Sequence, residues 1–477
     1  MIKKIKLPHV FVLLTGVILV CSVFTYIIPS GEYERETKEI GTLTRTVVKP
    51  GTYQQMEKHI SAESIIIGEE SEGKATPVSF FGFLSSIPRG MEAAADIIFF
   101  IFIIGGVFGI LQRTGTIMAF IQKLLDIFGH KAEVMVIILM IVVAIGSSTL
   151  GMGEEFIPLV PLFLIVSKQL GYDRVFGLAI VMLAMEVGFS AATTNPFTVQ
   201  IAQGIAEVPL NSGLELRLVF FLIAITIAVI YLLRYGAKIK KDPSKSIMPD
   251  DDFSIDHFSF EQVEFKKKHL LIIIIGAFLF ALIIFAVQEY EWWMSEMAGG
   301  FLLIGIASIV ISKIPINEAA KSFVKGMEEM IVAAMVVGFA KGVQVVLEDG
   351  QILDTIIFSA ANTLQNFHQF VAAGGMLVFQ TTLNFFIHSG SGQAAVTMPL
   401  MAPLSDLLGI TRQTAVLAFT CGDGFSNMII PTSGLLMAVL SIAKIPYTKW
   451  VKFVLPLFLI MIFLSFVFLG IAVLINY

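Results

Sequence analysis

The chain has 477 residues, a formal net charge of −5, 56% hydrophobic residues and only 14% charged residues. Soluble domains carry about 25% charged residues, so this composition excludes an ordinary soluble protein and indicates one that crosses a membrane several times. Without a basic domain, the sequence predicts no binding to nucleic acid. It contains no Walker loop, HExxH or GxSxG motif, so we predict neither an enzyme nor a cofactor-binding protein.

The first apolar run, residues 8–29, is long enough to cross a hydrocarbon layer of about 30 Å. It is long for the core of a secretory signal, and no clear cleavage motif follows it, so we predict a retained helix. Lys3, Lys4 and Lys6 precede this run and place the N-terminus in the cytoplasm. The polar, Glu-rich loop 30–78 is then extracytoplasmic, and it lacks the apolar periodicity of a folded core.

Residues 1–236 form the first predicted repeat. The loop is followed by a short amphipathic arm and a further crossing. The segment 132–168 holds two apolar pieces around the polar stretch 146–155, and each piece is too short to span a membrane at about 1.5 Å per residue. We therefore predict a re-entrant helical hairpin there. The segment 174–210 is predicted to be a transmembrane helix that is broken at 189–196.

Residues 237–297 hold a basic stretch, predicted to be a cytoplasmic loop, and a linker helix that crosses to the outside. The second predicted repeat, 298–477, then begins outside. It contains a second re-entrant hairpin at 370–407 and a second broken helix at 413–444. Basic residues before the last apolar run place the C-terminus outside. The extra crossing in the linker turns the second repeat upside down relative to the first.

Short motifs recur in the same order about 236 residues apart, as expected for a transporter built from two repeats. Gly90-Met91-Glu92 recurs as Gly326-Met327-Glu328, and Gly188-Phe189-Ser190 recurs as Gly424-Phe425-Ser426. Two copies of a unit with Gly- or Pro-interrupted apolar segments are typical of secondary transporters. We therefore predict an all-α polytopic membrane protein with two inverted-topology repeats.

The two hairpin tips and the two helix breaks form the predicted binding site. Backbone freed from a helix survives inside a membrane only beside protein or a water-filled cavity. Its N–H groups suit an anionic group, and its oxygens suit a cation such as Na⁺. Pro196 and Pro431 are expected in the first turns of restarting half-helices, with Asn195 and Thr432 as caps. The candidate substrate- or ion-binding residues are Ser147, Ser148, Thr149, Gly151, Gly153, Glu154, Glu155, Thr194, Asn195, Pro196, Ser389, Ser391, Gly392, Gln393, Asp423, Ser426, Asn427 and Thr432.

Acidic residues lie in the same places, although a charge inside a membrane is expensive. Glu154 and Glu155 lie at the first tip, Glu186 precedes the first break and Asp423 precedes the second. Neither the tips nor the breaks contain Lys or Arg, which favours a solute with a positive charge. Glu154 or Glu155 would pair with its amino or guanidinium group, while helix N-termini take a carboxylate. A structural role stays open for each acid, such as capping by Glu155 or hydrogen bonding by Asp423.

Three further alternatives stay open. Clusters of Ser, Thr, Gly and Asn in membrane helices often serve close helix packing, although four clusters in two matching pairs favour a binding site. His388 beside the second tip is expected to be structural rather than a proton relay. Lys341, inside an apolar run, either reaches towards the membrane surface, pairs with an acid or lines the pathway.

The chain resembles the ion transporter superfamily, and in particular the C4-dicarboxylate anaerobic carrier group with its YfcC-type basic amino acid antiporters. The stretches that carry the resemblance are 146–155, 192–196, 388–393 and 423–427. The resemblance implies two re-entrant hairpins and two unwound helices around one site. It also implies a homodimer in which a transport domain moves against a scaffold domain as an elevator. Related dicarboxylate transporters carry Ser-Asn-Thr at the tips, whereas the tips here read Ser147-Ser148-Thr149 and Ser389-Gly390-Ser391.

We therefore expect a secondary-active transporter of the bacterial inner membrane that exchanges a small amino-acid-like organic ion. Arginine, ornithine and lysine are the leading candidates. The alternative is a dicarboxylate or short-chain carboxylate carrier coupled to Na⁺ or H⁺, and a passive channel is the third. The expected partners are the small organic solute, the lipid bilayer and a second copy of the chain. No cofactor is expected beyond a coupling Na⁺ or H⁺, and Na⁺ at the hairpin tips is the only metal considered.

Overall fold

The structure is a computed structural model, and it is mostly helical. It describes residues 9–40, 43–68, 71–128, 131–249, 251–253, 264–290 and 292–477. Lys3, Lys4 and Lys6, on which the predicted cytoplasmic N-terminus depends, lie outside these residues. Within the described residues, eight helices are long and apolar enough to cross a membrane. The protein is therefore a multi-pass membrane protein, as its composition predicts.

The first half of the chain begins with helix α1, Val10–Ile27. The polar stretch after it contains strands β1 (Ser30–Glu32), β2 (Arg35–Ile40), β3 (Leu43–Val48) and β4 (Gln54–Met56) and helix α2 (Ala62–Ile66). The helices that complete this half are α3 (Phe80–Ala93), α4 (Ala95–Arg113), α5 (Thr116–Phe128), α6 (Ala132–Leu150), α7 (Val160–Gln169), α8 (Arg174–Ser190), α9 (Ile201–Ile205) and α10 (Leu214–Lys241).

The second half repeats this order of helices after a linker helix, α11 (Lys267–Tyr290). Its helices are α12 (Met294–Ser312), α13 (Ile316–Glu329), α14 (Ile331–Asp349), α15 (Leu353–Leu364), α16 (Gln369–Leu383), α17 (Gly390–Leu407), α18 (Arg412–Ser426), α19 (Gly434–Ala443) and α20 (Tyr447–Leu474). Three equivalent pairs have equal lengths, whereas α7 and α17 differ, with 10 and 18 residues. Helices α3 and α13 have 14 residues each, α4 and α14 have 19 each, and α10 and α20 have 28 each.

The two halves interlock through α3 and α13, which we call the arm helices. Helix α3 packs against α14, and α13 packs against α4. A Cβ atom on Gly90 of α3 would lie 2.5 Å from the carbonyl oxygen of Gly338, and one on Gly326 of α13 would lie 2.9 Å from the carbonyl carbon of Gly105. Only a residue without a Cβ allows backbones to approach so closely. The motif that recurs at Gly90 and Gly326 therefore makes equivalent contacts in the two halves.

The polar stretch 30–78 is more structured than its sequence predicts. Strand β1 pairs with β4 and β2 pairs with β3, both in antiparallel fashion. Arg35 on β2 donates two hydrogen bonds, of 2.9 and 3.0 Å, to the buried carboxylate of Asp354 on α15, which also accepts the N–H of Tyr33 at 2.9 Å. Burial, followed by the charge of Asp354, raises the pKa of Tyr33 to about 12. The strands are short and polar, and these contacts with the second half hold them in place.

The polar stretch 30–78 and the second polar stretch, which is the basic stretch that follows α10, lie near opposite ends of α10. This helix has 28 residues and spans about 42 Å. Near its first end, Lys38 on β2 pairs with Glu207 at 2.8 Å, and Glu207 also pairs with Arg412 at 3.0 Å. Hydrogen bonds from these two cations hold the pKa of Glu207 below its usual value, and the bond from Lys38 has the larger effect. Near the other end, Arg174 pairs with Asp251 of the second polar stretch at 2.8 Å.

Helices α8 and α18 form the buried centre of the molecule. Gly188 on α8 lies against the carbonyl group of Ala144 on α6. Where α8 and α18 cross, a Cβ on Gly424 would lie 2.5 Å from the Cα of Ser190. These close approaches bring together the ends of α8 and α18, which are the points where both predicted breaks begin.

Candidate solute-binding site

The first tip is shorter than the sequence predicts. Helix α6 continues through Ser147 to Leu150 and has 19 residues, long enough to span a membrane, so the prediction that this piece is too short was wrong. The Thr149 hydroxyl donates to the carbonyl oxygen of Ile145 within the helix, and the Ser147 hydroxyl donates to that of Met152 in the turn that follows. The chain turns at Gly151, whose φ of +71° is a left-handed conformation that suits glycine. A 3₁₀ turn, Glu154–Leu159, then leads into α7.

The first break lies where the sequence predicts it. A π-helical turn restarts the helix at Pro196, and Asn195 caps it by accepting the N–H of Phe197 at 2.9 Å. The carbonyl oxygen of Ser148 accepts the N–H of Thr194 at 3.2 Å. A Cβ on Gly151 would lie 2.5 Å from Asn195 Oδ1. The first tip and the first break are thus fastened to each other.

The second tip joins α16 to α17. The Ser389 hydroxyl caps α17 and accepts the N–H of Gly392 at 3.3 Å. Gln393 is fully buried, and its Nε2 donates to Oε1 of Gln380 on α16 at 2.7 Å. This side-chain pair ties the two helices together directly behind the tip.

The second break differs in detail from the prediction. Helix α19 restarts at Gly434, and Ser433 caps it by accepting a backbone N–H of the first turn at 3.1 Å. The expectations that Pro431 begins this half-helix and that Thr432 caps it were therefore wrong. Ser433 stands next to the helix, and the Thr432 hydroxyl instead donates to the carbonyl oxygen of Phe385 beside the second tip at 2.7 Å.

Asn384, which the sequence analysis missed, connects the second tip to the second break. It is fully buried, and its Nδ2 lies 2.6 Å from the carbonyl oxygen of Asp423, 2.7 Å from Ser426 Oγ and 2.6 Å from Asn427 Oδ1. A further amide between Gln380 and His388, in a stretch that also holds two threonines, is the signal that could have identified it.

The two tips and the two breaks surround one cavity of 230 Å³. Pockets for drug-sized ligands measure about 300–1,000 Å³, so this cavity suits a small solute. The predicted site residues that line it are Gly151, Gly153, Glu154, Glu155, Ser389, Ser391, Asp423, Asn427 and Thr432. The predicted site residues that lie outside its lining are Ser147, Ser148, Thr149, Thr194, Asn195, Pro196, Gly392, Gln393 and Ser426.

Several lining residues were not among the predicted site residues. They are Glu186, Phe197, Thr198, Trp293, Lys341, Gln344, Asn384 and His388. Glu186 and Lys341 stood out in the sequence as charges in apolar runs, but sequence does not show which way a helix face points. Trp293 donates to Asp96 at 2.9 Å, and its ring meets that of Phe197 edge to face.

Buried polar atoms without a partner in the protein converge on this cavity. Within the described part of the chain, such atoms on lining residues are Glu186 Oε1, Thr198 Oγ1, Asn384 Oδ1, His388 Nδ1 and Asp423 Oδ2. Buried polar groups are normally hydrogen-bonded, so this concentration indicates a place for a polar solute. The described residues contain no group of three or more His, Cys, Asp or Glu side chains that could hold a metal ion.

At the first tip, one of the two acids already has a hydrogen-bond partner within the protein. Glu155 accepts the N–H of Gly153 at 2.8 Å. Neither the 3₁₀ turn nor α7 has a side-chain cap, so the capping role left open for Glu155 by the sequence is not seen. On α14, Lys341 donates to Gln344 at 2.7 Å, and Gln344 donates to Glu348 at 2.6 Å. Of the alternatives for Lys341, lining the cavity is the one that the structure shows.

Comparison with known proteins identifies the family. The chain is 35% identical to the Escherichia coli K12 protein named "Putative basic amino acid antiporter YfcC", over 94% of this chain and 93% of that protein. It is 29% identical to an uncharacterised protein of Haemophilus influenzae, over 95% and 94% of the two chains. Among solved structures it is similar to the YdaH transporter of Alcanivorax borkumensis, at 15% identity and a TM-score of 0.44 over 98% and 99% of the two chains. It is also similar to MtrF of Neisseria gonorrhoeae, at 17% identity and a TM-score of 0.45 over 98% and 96%. The family model described as "C4-dicarboxylate anaerobic carrier" matches residues 7–474, and the chain belongs to this family of secondary transporters.

Proposed function

We propose that the protein exchanges basic amino acids, with arginine, ornithine or lysine as the solute. The observation that carries this proposal is the charge of the cavity lining. The carboxylates of Glu154, Glu155, Glu186 and Asp423 line the cavity, and among the described residues Lys341 is the one Lys or Arg beside them. An ionised carboxylate accepts hydrogen bonds and donates none, and it binds ammonium and guanidinium groups strongly. The name of the Escherichia coli relative points the same way.

The transporter architecture that we propose has two inverted repeats, 1–236 and 298–477, joined by 237–297. The matching order of the helices, and the equal lengths of α3 and α13, α4 and α14, and α10 and α20, support two repeats. The reciprocal packing of the arm helices supports a two-fold relation between them. The positions of the equivalent helices α7 and α17 support the inversion. Helix α17 ends near the first end of α10, where Asp406 pairs with Arg412 at 2.8 Å. Helix α7 ends near the other end of α10, where Arg174 pairs with Asp251.

The mechanism that we propose is alternating access by an elevator movement. The cavity lies between two groups of elements. One contains both tips and both breaks, and the other contains the ends of α3, α4 and α12 and the face of α14. Sliding the first group past the second would carry a bound solute across the membrane, with the second group as the scaffold. A homodimer would hold that scaffold steady, and the bacterial inner membrane is the proposed location.

The alternative is a carboxylate carrier coupled to Na⁺ or H⁺. The family description and the presence of Lys341 in the cavity favour it. The lining carboxylates oppose it, because a dicarboxylate would meet them as like charges. A passive channel is the third alternative.

Counterflow in proteoliposomes tests the proposal. Vesicles loaded with unlabelled arginine should take up labelled arginine transiently and saturably, and unlabelled lysine or ornithine inside should support the same uptake. The matched experiment uses succinate on both sides of the membrane. Both the arginine and the succinate experiments are run with and without Na⁺. Counterflow of succinate without counterflow of arginine would establish the carboxylate carrier instead. An unsaturated, voltage-driven current would establish a channel.

A further inference from the structure

One wall of the cavity carries oxygen atoms that lack donors. Glu186, Thr198, Asn384 and Asp423 are each at most 1% exposed, and each has a side-chain oxygen with no partner in the described protein. A Cβ on Gly390 of the second tip would lie 2.6 Å from Thr198 Cγ2 and 3.1 Å from Asp423 Oδ2. Glycine at this position therefore keeps the wall open beside two of these residues.

Such a wall favours a ligand that donates hydrogen bonds and carries a positive charge. Ionised carboxylates have no donor, and the amide oxygen of Asn384 and the hydroxyl of Thr198 both have acceptor capacity. An ammonium group brings three donors and neutralises one of the two buried carboxylates, Glu186 and Asp423. An anion in the same place would repel both carboxylates and leave the oxygens unsatisfied.

The same cavity lining also carries the complementary charge. Lys341 is half-buried on α14 and donates one hydrogen bond to Gln344 at 2.7 Å. A lysine ammonium group has three donors, so it can also bind a carboxylate in the cavity. Glu186 and Asp423 lie on α8 and α18 and Lys341 lies on α14, so a solute bound to all three contacts both of the proposed groups of elements at once.

We propose that the cavity is a bipolar site, in which Glu186 and Asp423 bind a cationic nitrogen of the solute and Lys341 binds its carboxylate. The inference rests on the proposed exchange of basic amino acids and assigns the two kinds of charge on the solute to named side chains. It also transfers the main cation contact from the first tip to Glu186 and Asp423, because Glu155 already accepts the N–H of Gly153 at 2.8 Å.

Calorimetric titration of the purified protein with lysine and with cadaverine tests this site, because cadaverine is lysine without its carboxylate. The wild type should bind lysine at least tenfold more tightly than cadaverine. The isosteric variants Glu186→Gln and Asp423→Asn should each weaken binding of both ligands at least tenfold. Lys341→Met should weaken lysine binding at least tenfold and change cadaverine binding less than twofold.

The matched control is Glu133→Gln, which removes an exposed acid of α6 outside the cavity and should change neither affinity. Each variant is first compared with the wild type in its thermal midpoint without ligand. The comparison of lysine with cadaverine on the wild type needs no variant, so a variant that fails to fold leaves the proposal testable. Equal wild-type affinities for the two ligands would overturn it.

Other outcomes separate this inference from the proposed function. If the wild type binds lysine and Glu186→Gln binds it equally well, the bipolar site alone would be overturned. Binding of succinate without any binding of lysine, arginine or ornithine would overturn the proposed exchange itself. A thermal shift with NaCl but not with choline chloride, lost in Glu186→Gln, would show that the oxygens bind Na⁺ and would also overturn the bipolar site.

Discussion

The contact of the arm helix α3 with α14 predicts a strong effect of adding a single methyl group. In Gly90→Ala the new Cβ would lie 2.5 Å from the carbonyl oxygen of Gly338 and 2.6 Å from the backbone nitrogen of Gly342. Both are backbone atoms within a helix, so neither can move aside without shifting α14. The change therefore forces apart an interface that joins the two halves.

Two opposing effects set the magnitude. Overpacking costs about 1–3 kcal/mol, whereas replacing glycine by alanine inside a helix gains about 1 kcal/mol. Contacts with rigid backbone put Gly90→Ala at the upper end of the first range, so we expect a net loss of about 2 kcal/mol. Gly299→Ala in α12 is the matched control, because its Cβ would meet nothing within 4 Å. The control should be neutral or slightly stabilised.

Thermal unfolding in detergent, followed by intrinsic fluorescence, measures the difference. Gly326→Ala should behave like Gly90→Ala, because its Cβ would lie 2.9 Å from the carbonyl carbon of Gly105 and 3.0 Å from the backbone nitrogen of Gly109. If Gly90→Ala and Gly326→Ala unfold at the same temperature as Gly299→Ala, the interlocked arrangement of the two halves is wrong.

Three other predictions concern the loop, the topology and the first break. Asp354→Asn removes the charge that binds Arg35 through two hydrogen bonds and should cost about 1.5–3 kcal/mol, detected as faster proteolysis of residues 30–78; an unchanged cleavage rate would contradict this. Cysteine at Glu57 should react with an impermeant maleimide added to whole cells, and cysteine at Lys245 only after lysis, because the proposed topology places the first outside and the second inside. Both native thiols are buried and should give little background; the reverse pattern would invert the proposed topology. Asn195→Ala removes a helix cap worth about 1 kcal/mol, so the protein should fold but lose counterflow; normal counterflow would make the break a packing device.

The sequence allowed prediction of where the chain is irregular, because irregularity follows from local residue types. Asn195 and Pro196 indicate a cap and a first helical turn, and both have those roles. The same reasoning failed at Pro431, because a better cap, Ser433, stands closer to the restarting helix. It failed at the first tip as well, because a hydroxyl such as that of Thr149 can bond a carbonyl of the preceding turn inside a continuous helix.

Which polar residues face the cavity could not be predicted, because this depends on how each helix is rotated by its neighbours. Lys341 and Glu186 were recognisable as charges in apolar runs, yet only the packing of α14 and α8 directs them into the cavity. The short strands of residues 30–78 could not be predicted from the sequence either. Their order comes from contacts such as that between Arg35 and Asp354, which are more than 300 residues apart in sequence.

The family name and the proposed solute differ in charge, and the cavity lining explains how both can share one fold. At 4 Å and an effective dielectric constant of about 20, two like charges repel by about 4 kcal/mol, which outweighs a typical hydrogen bond of about 1 kcal/mol. One dicarboxylate near Glu186 and Asp423 would meet such repulsion at both residues, whereas an ammonium group would gain from both. If the proposed function holds, the helices and tips provide the pathway, and a few lining side chains decide the sign of the solute. Replacing both buried acids by amides should therefore weaken selection for cations while the scaffold stays folded. A double variant that still binds lysine with wild-type affinity would show that the selection lies elsewhere.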